Sequence, residues 1–125
     1  FDCIVVDKHL TIGNLVGVIK TLLEGLYKRP VEVRLRPAFF PFVEPGFEME
    51  MKVSFGIGKE QKTKWIEIVG CGMIHPNVIR AGALDPKEHD GFAFSLGVDR
   101  LVMGKYGVED IRHIHSGDLR FLKQF

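Results

Sequence analysis

A chain of 125 residues, 46% apolar and 26% charged with a formal net charge of +1, has the length for one core and the composition of an ordinary globular domain. Its near-neutral balance does not by itself mark a nucleic-acid binder, and no apolar run reaches the length of a membrane-spanning helix. The only cysteines, Cys3 and Cys71, are too few and too isolated for a disulfide scaffold and fit a reduced, intracellular setting.

The chain opens inside an apolar run, with a strand expected at residues 4–6 and no initiator methionine. It reads as one domain over residues 1–125, a fragment whose upstream part is missing. Thr11 or Asn14 can cap a helix whose broad apolar face is Leu15, Val18, Ile19, Leu22, Leu23, Leu26 and Tyr27, ended by Pro30. Val31 to Arg36 alternates apolar and charged until Pro37 and the cluster Phe39-Phe40-Pro41-Phe42 interrupt it. Phe47, Met49, Met51, Val53 and Phe55 alternate with Glu48, Glu50, Lys52 and Ser54, which predicts a half-buried strand. Gly56 to Thr63 reads as a loop, Trp65 to Val69 as the next strand, and Pro76 to Asp90 as a second loop with room for a short helix. From Gly91 to Gly97 small and bulky residues alternate, so a strand there turns Gly91, Ala93, Ser95 and Gly97 to one face. Val98 to Tyr106 has helical spacing. The expected fold is α+β: an antiparallel β-sheet, in meander order, flanked by helices and without parallel βαβ units.

The small-residue strand is the main functional signal. Glycine weakens a strand, so a face kept bare leaves room for a ligand to lie against the backbone. Arg100, just beyond it, offers a planar, permanent charge suited to a base or a phosphate, or else it pairs with Asp99 or Glu109 at the surface. Phe40 and Phe42, if extended, face one side and can grip an aromatic ligand; the alternative is a core cluster with Phe39. Glu44 is either a solvated turn residue or one oxygen ligand of a magnesium ion. Glu67, expected to be half-buried, needs a partner. Gly70 and Gly72, around Cys71, form a second patch where a ligand can approach or the strand can bulge. Gly56-Ile57-Gly58-Lys59 lacks phosphate-loop spacing and fits a hairpin turn. His113 and His115 do not share a helical face and have no cysteine pair nearby, which argues against zinc, and Cys71 has no adjacent base.

Several of these blocks, taken in order, carry a resemblance over essentially the whole chain. They are Arg36-Pro37 with Phe39 to Pro45, Trp65-Ile66-Glu67 with Gly70 to Pro76, and Gly91 to Arg100. Tyr106-Gly107-Val108, Asp110-Ile111-Arg112 and Asp118 to Phe125 follow. Together they resemble the catalytic core of the class II aminoacyl-tRNA synthetases, specifically the alpha subunit family of the bacterial-type phenylalanine enzyme. The resemblance implies ATP-dependent activation of L-phenylalanine to phenylalanyl-adenylate and transfer to tRNA(Phe). It also implies Mg2+, a beta subunit in an alpha2-beta2 heterotetramer, and a cytoplasmic location.

The same resemblance implies roles for single residues. Arg100 is the catalytic arginine that contacts ATP through adenine and polyphosphate, with Gly97 beside it in the ATP site. Phe40 and Phe42 pack against the ring of the substrate, Ala93 limits the size of its para position, and Asp2 meets its amino group. Gly70 and Gly72 belong to the substrate site, and Glu44 supplies a carboxylate to a magnesium ion shared with the beta subunit. Three positions depart from the family pattern: Ser95 replaces glycine, Asp99 replaces glutamate, and Asp2-Cys3 replaces Glu-Gly. The first motif and the arginine of the second fall upstream of Phe1, so the piece alone is expected to be inactive. Three alternatives stand beside this reading: a single-chain organelle-type enzyme, a non-catalytic synthetase-like binding module, and an isolated structural domain.

Overall fold

The computed structural model describes residues 1–55 and 62–125. Its strands are β1 (Asp2–Asp7), β2 (Val33–Phe40), β3 (Val43–Phe55), β4 (Lys62–Ile74) and β5 (Asp90–Leu96). Its helices are α1 (Ile12–Tyr27), α2 (Pro76–Ala81), α3 (Val98–Tyr106), α4 (Ile111–His115) and α5 (Leu119–Leu122). The strands form one antiparallel sheet in the order β1-β5-β4-β3-β2. Strands β2 to β5 are the expected meander, and α1 carries the chain from β1 at one edge to β2 at the other. The fold is α+β. Among the described residues no helix is long and apolar enough to cross a membrane.

One sheet face carries the core. Leu15, Ile19 and Leu23 of α1 pack against Met49, Met51, Val53, Ile68, Val69, Phe92, Phe94 and Leu96. Thr11 and Asn14, the two candidate caps, act together: Thr11 is the N-cap and Asn14 returns a bond to the Thr11 backbone, a capping box. The helix ends at Tyr27 through a left-handed Lys28, ahead of Pro30. Val18, expected on the apolar face, is 43% exposed instead. Helix α3 docks beside α1, where the Tyr27 hydroxyl donates to the Leu101 carbonyl at 3.1 Å.

Four strands run further than their periodicity indicates, and β3 begins at Val43 rather than Phe47. Strand β2 continues through Pro37 to Phe40, because it lies at the sheet edge where a missing N–H is tolerated. Strand β4 begins at Lys62 and passes through Gly70-Cys71-Gly72 to Ile74. Strand β1 spans six residues rather than three. The remainder of the expected 56–63 loop, including Gly56-Ile57-Gly58-Lys59, lies outside the described residues.

Candidate functional site

The face of the sheet opposite the core is set by an irregularity in β4. Val69 pairs with Met49 but Glu67 pairs with Glu50, so Ile68 is an extra residue in the ladder. Ile68 and Val69 are therefore both buried, and alternation changes parity between them. Gly70 and Gly72 consequently fall on the open face with Trp65 and Glu67. Glu67 is exposed, contrary to the half-buried position expected for it. It stands opposite Glu50, whose charge Arg34 holds at 2.5 Å while the Arg34 guanidinium lies 4.3 Å from the Trp65 ring centre. Arg36 pairs with Glu48 alongside. Each such exposed pair contributes at most about 1 kcal/mol, so their effect is to fix the β2–β3 register more than to stabilise it.

The other half of this face is concave. Asp2, Ile4, Phe40, Phe42, Val43, Gly70, Ala93 and Ser95 line a cavity of about 360 Å³, with Cys3, Cys71 and Phe94 completing its floor. That volume suits a small organic ligand. Register explains the grouping, because Ser95 lies between Asp2 and Gly70, and Ala93 lies between Ile4 and Gly72. Asp2 and Ser95, two of the positions that depart from the family pattern, are direct cross-strand partners.

The two phenylalanines meet by a route that extended geometry did not anticipate. Phe40 ends β2, Pro41 and Phe42 make the turn, and Val43 pairs back with Phe40. The rings then stack with centroids 6.1 Å apart at 28°. Phe39, the candidate for a shared core cluster, is 87% exposed. The Phe40 ring rests over Gly70, where a Cβ would lie 3.3 Å from its Cζ atom, so Gly70 gives the ring its seat. Ile4 and Val43 carry no sequence signal of their own; the pairing of β1 with β5 and of Val43 with Phe40 brings them to the cavity.

The bare-strand expectation needs correction at three glycines. A Cβ on Gly91 would lie 2.7 Å from Ile74 Cδ1, so Gly91 is small because Ile74 covers it. Gly72 is buried beneath the start of β3, where a Cβ would meet the Pro45 carbonyl oxygen at 2.6 Å and Val43 at 2.8 Å. It does not line the cavity. Gly97 lies past the end of β5 as the N-cap of α3. Of the four small residues, Ala93 and Ser95 alone reach the cavity.

Arg100 is not brought into that cavity. It lines a separate groove with Lys64, Trp65, Ile66, Glu67, Met103 and Glu109. Gly97 sits against its stem, at 3.4 Å from a built Cβ to Arg100 Cγ. The pairing of Arg100 with Asp99 is not formed; Asp99 meets His115 Nε2 at 3.0 Å. His113 stacks on Phe121, with centroids 5.8 Å apart.

Glu44 lies in the β3 irregularity beside the cavity wall and is exposed, with His75 Nε2 3.7 Å from its carboxylate. His75 Nδ1 accepts from the Asn77 amide as the cap of α2. Among the described residues there is no group of three His, Cys, Asp or Glu side chains placed to hold a metal ion. One carboxylate with a neighbouring imidazole does not complete a magnesium centre. Cys71 is buried in the core, where desolvation pushes its thiol up to about 11, so it is protonated and unreactive near neutral pH.

Comparison with known proteins agrees with this architecture. The chain matches the family described as tRNA synthetases class II core domain (F) over residues 1–125. It is 47% identical over 125 residues to the phenylalanine–tRNA ligase alpha subunit of Leptospira biflexa serovar Patoc, covering 97% of this chain and 37% of that protein. It is 44% identical over 126 residues to the corresponding subunits of Bacillus cytotoxicus and Bacillus mycoides, covering 98% of this chain and 37% of theirs. The chain thus spans about 37% of the length of these curated relatives. A five-stranded antiparallel sheet with a small-residue open face, and a family match from the first residue to the last, place the chain in the class II aminoacyl-tRNA synthetase core domain family.

Proposed function

We propose that residues 1–125 are the part of a phenylalanine–tRNA ligase alpha subunit that holds phenylalanine and one end of ATP. The observation that carries this reading is the largely apolar cavity lined by Phe40, Phe42 and Ala93, with Asp2 also among its lining residues. Burial of a phenyl ring there is worth roughly 1.5–3 kcal/mol, and the stacked pair adds about 0.5–1.5 kcal/mol through ring contacts. Asp2 gives the amino group a counter-charge.

The reaction is a two-step ligation. A carboxylate oxygen of phenylalanine attacks the α-phosphorus of ATP, the bond to the bridging oxygen breaks, and pyrophosphate leaves. A terminal hydroxyl of tRNA(Phe) then displaces AMP from the adenylate. Neither step needs a nucleophilic side chain; positioning and charge neutralisation do the chemistry. Phe40, Phe42 and Ala93 orient the ring, and Arg100, reaching from the head of α3 with Gly97 against its stem, takes up charge on the phosphates. Glu44 is the carboxylate this chain offers to a magnesium ion, whose remaining ligands come from elsewhere. Partnership with a beta subunit, in an alpha2-beta2 assembly in the cytoplasm, belongs to the same reading.

The test is phenylalanine-dependent ATP–pyrophosphate exchange by the full-length enzyme. Exchange that requires phenylalanine supports the assignment; a protein that binds without exchange would instead be a synthetase-like binding module. Within this reading Ala93 sets the depth of the cavity. Ala93→Gly is expected to raise kcat/KM for para-chlorophenylalanine roughly tenfold or more, since a pocket discriminates a small added group by about 1–3 kcal/mol. Unchanged exchange with that analogue would remove Ala93 from the para position. The same arithmetic gives only about hundredfold rejection of tyrosine by an apolar pocket, so tyrosine errors require correction elsewhere in the enzyme.

A further inference from the structure

Among the residues of this chain that line the cavity, Asp2 is the one that offers a carboxylate to an ammonium group. An –NH3+ has three N–H donors, and in a largely apolar cavity each needs an acceptor. A carboxylate at one side serves one or two of them. Two oxygens that each accept from one tetrahedral ammonium at ordinary hydrogen-bond length stand about 4.7 Å apart. Side chains directly opposite on antiparallel strands have Cβ atoms about 4.5–5.5 Å apart, so such a pair is spaced to bracket one ammonium.

Asp2 and Ser95 are that pair. They are register partners on β1 and β5, both lie on the open face, both are exposed, and both line the cavity. Ser95 is also opposite Gly70, over which the Phe40 ring rests. Ser95 therefore stands in register between Asp2 and the glycine that seats the aromatic ring, where the polar head of an aromatic amino acid would join its ring. The other cavity residues on this face, Ile4, Val43, Phe40, Phe42, Gly70 and Ala93, bring no polar side-chain atom.

We propose that Ser95 is a specificity-determining residue that accepts a hydrogen bond from the substrate ammonium alongside Asp2. The inference rests on the phenylalanine-binding reading and adds to it a second polar contact. Full-length enzyme, assembled with its partner subunit, is to be compared as wild type, Ser95→Ala and Ser95→Thr. The measurements are the KM for phenylalanine in ATP–pyrophosphate exchange and the inhibition constants of phenylalaninol and 3-phenylpropionate. Phenylalaninol keeps the ammonium and 3-phenylpropionate lacks it.

Loss of one hydrogen bond to a charged group predicts that Ser95→Ala weakens phenylalanine and phenylalaninol roughly tenfold or more. Inhibition by 3-phenylpropionate stays within about twofold, and Ser95→Thr, which keeps the hydroxyl, restores most of the loss. Equal weakening of all three compounds, or none for phenylalanine, would overturn the proposal, as would a threonine variant no better than alanine. Wild-type enzyme without phenylalanine-dependent exchange would overturn the functional reading itself, and this inference with it.

Discussion

Arg100→Ala is expected to lower kcat/KM for ATP in the exchange reaction by roughly 100-fold or more, the scale on which removing one donor from a developing anionic centre acts. The guanidinium stands in its groove with Lys64, Trp65 and Glu67, on the first turn of α3 and away from the cavity of the aromatic pair. The loss is therefore expected in the ATP parameters, with the KM for phenylalanine changed far less. Arg100→Lys keeps the charge and loses the planar fork, so it is expected to recover only part of the activity. Exchange kinetics that did not change in Arg100→Ala would take this residue out of the site.

Gly72→Ala acts by a different route. Its new Cβ would press on the Pro45 carbonyl oxygen at 2.6 Å and on Val43 at 2.8 Å, and neither is the end of a flexible side chain. Val43 is 5% exposed and pairs with both Phe40 and Ile74, so β3 must shift at the residue that carries the aromatic turn. Overpacking of this kind costs roughly 1–3 kcal/mol, and more where backbone has to move. Hydrogen exchange in the assembled enzyme is the suitable readout, because it reports local opening without treating a multi-domain protein as two-state. Faster exchange at the amides of β3 and β4, with a raised KM for phenylalanine, is the expected result. Unchanged protection in both strands would show that the β3 irregularity absorbs a methyl group.

How far the sequence discloses this structure depends on whether a residue's role is local. The α1 pattern, the β3 alternation, the β5 alternation and the α3 spacing each bury one stripe against one core, and periodicity reports such burial directly. The passage of β2 through Pro37 is different, since it depends on which strand lies at the edge. Parity in β4 hinges on the single extra residue Ile68, and nothing in Trp65 to Ile74 marks it. The site divides along the same line. Phe40, Phe42, Ala93 and Asp2 do come together around one cavity. Gly72 and Gly91 attract notice for a sound reason, the need for a small residue, but the neighbours that require it are Val43, Pro45 and Ile74. Ile4 escapes notice because its partner Ala93 is far along the chain.

The departures from the family pattern are also local events with a joint consequence. Asp2 has a shorter side chain than the glutamate of the pattern, and Ser95 a larger one than its glycine. They face one another across β1 and β5, and both line a single cavity. Phenylalanine-dependent exchange kinetics distinguishes a catalytic enzyme from a binding module.

In the proposed complex the amino acid lies on the open sheet face with its ring held by the aromatic turn. A crystal structure of the full-length enzyme bound to a non-hydrolysable phenylalanyl-adenylate analogue tests it most directly. The ring is predicted to lie against Phe40 and Phe42 above Ala93, with the amino group at Asp2 and Ser95. An analogue bound elsewhere, with the cavity empty and Phe40 and Phe42 making no contact to it, would contradict the account.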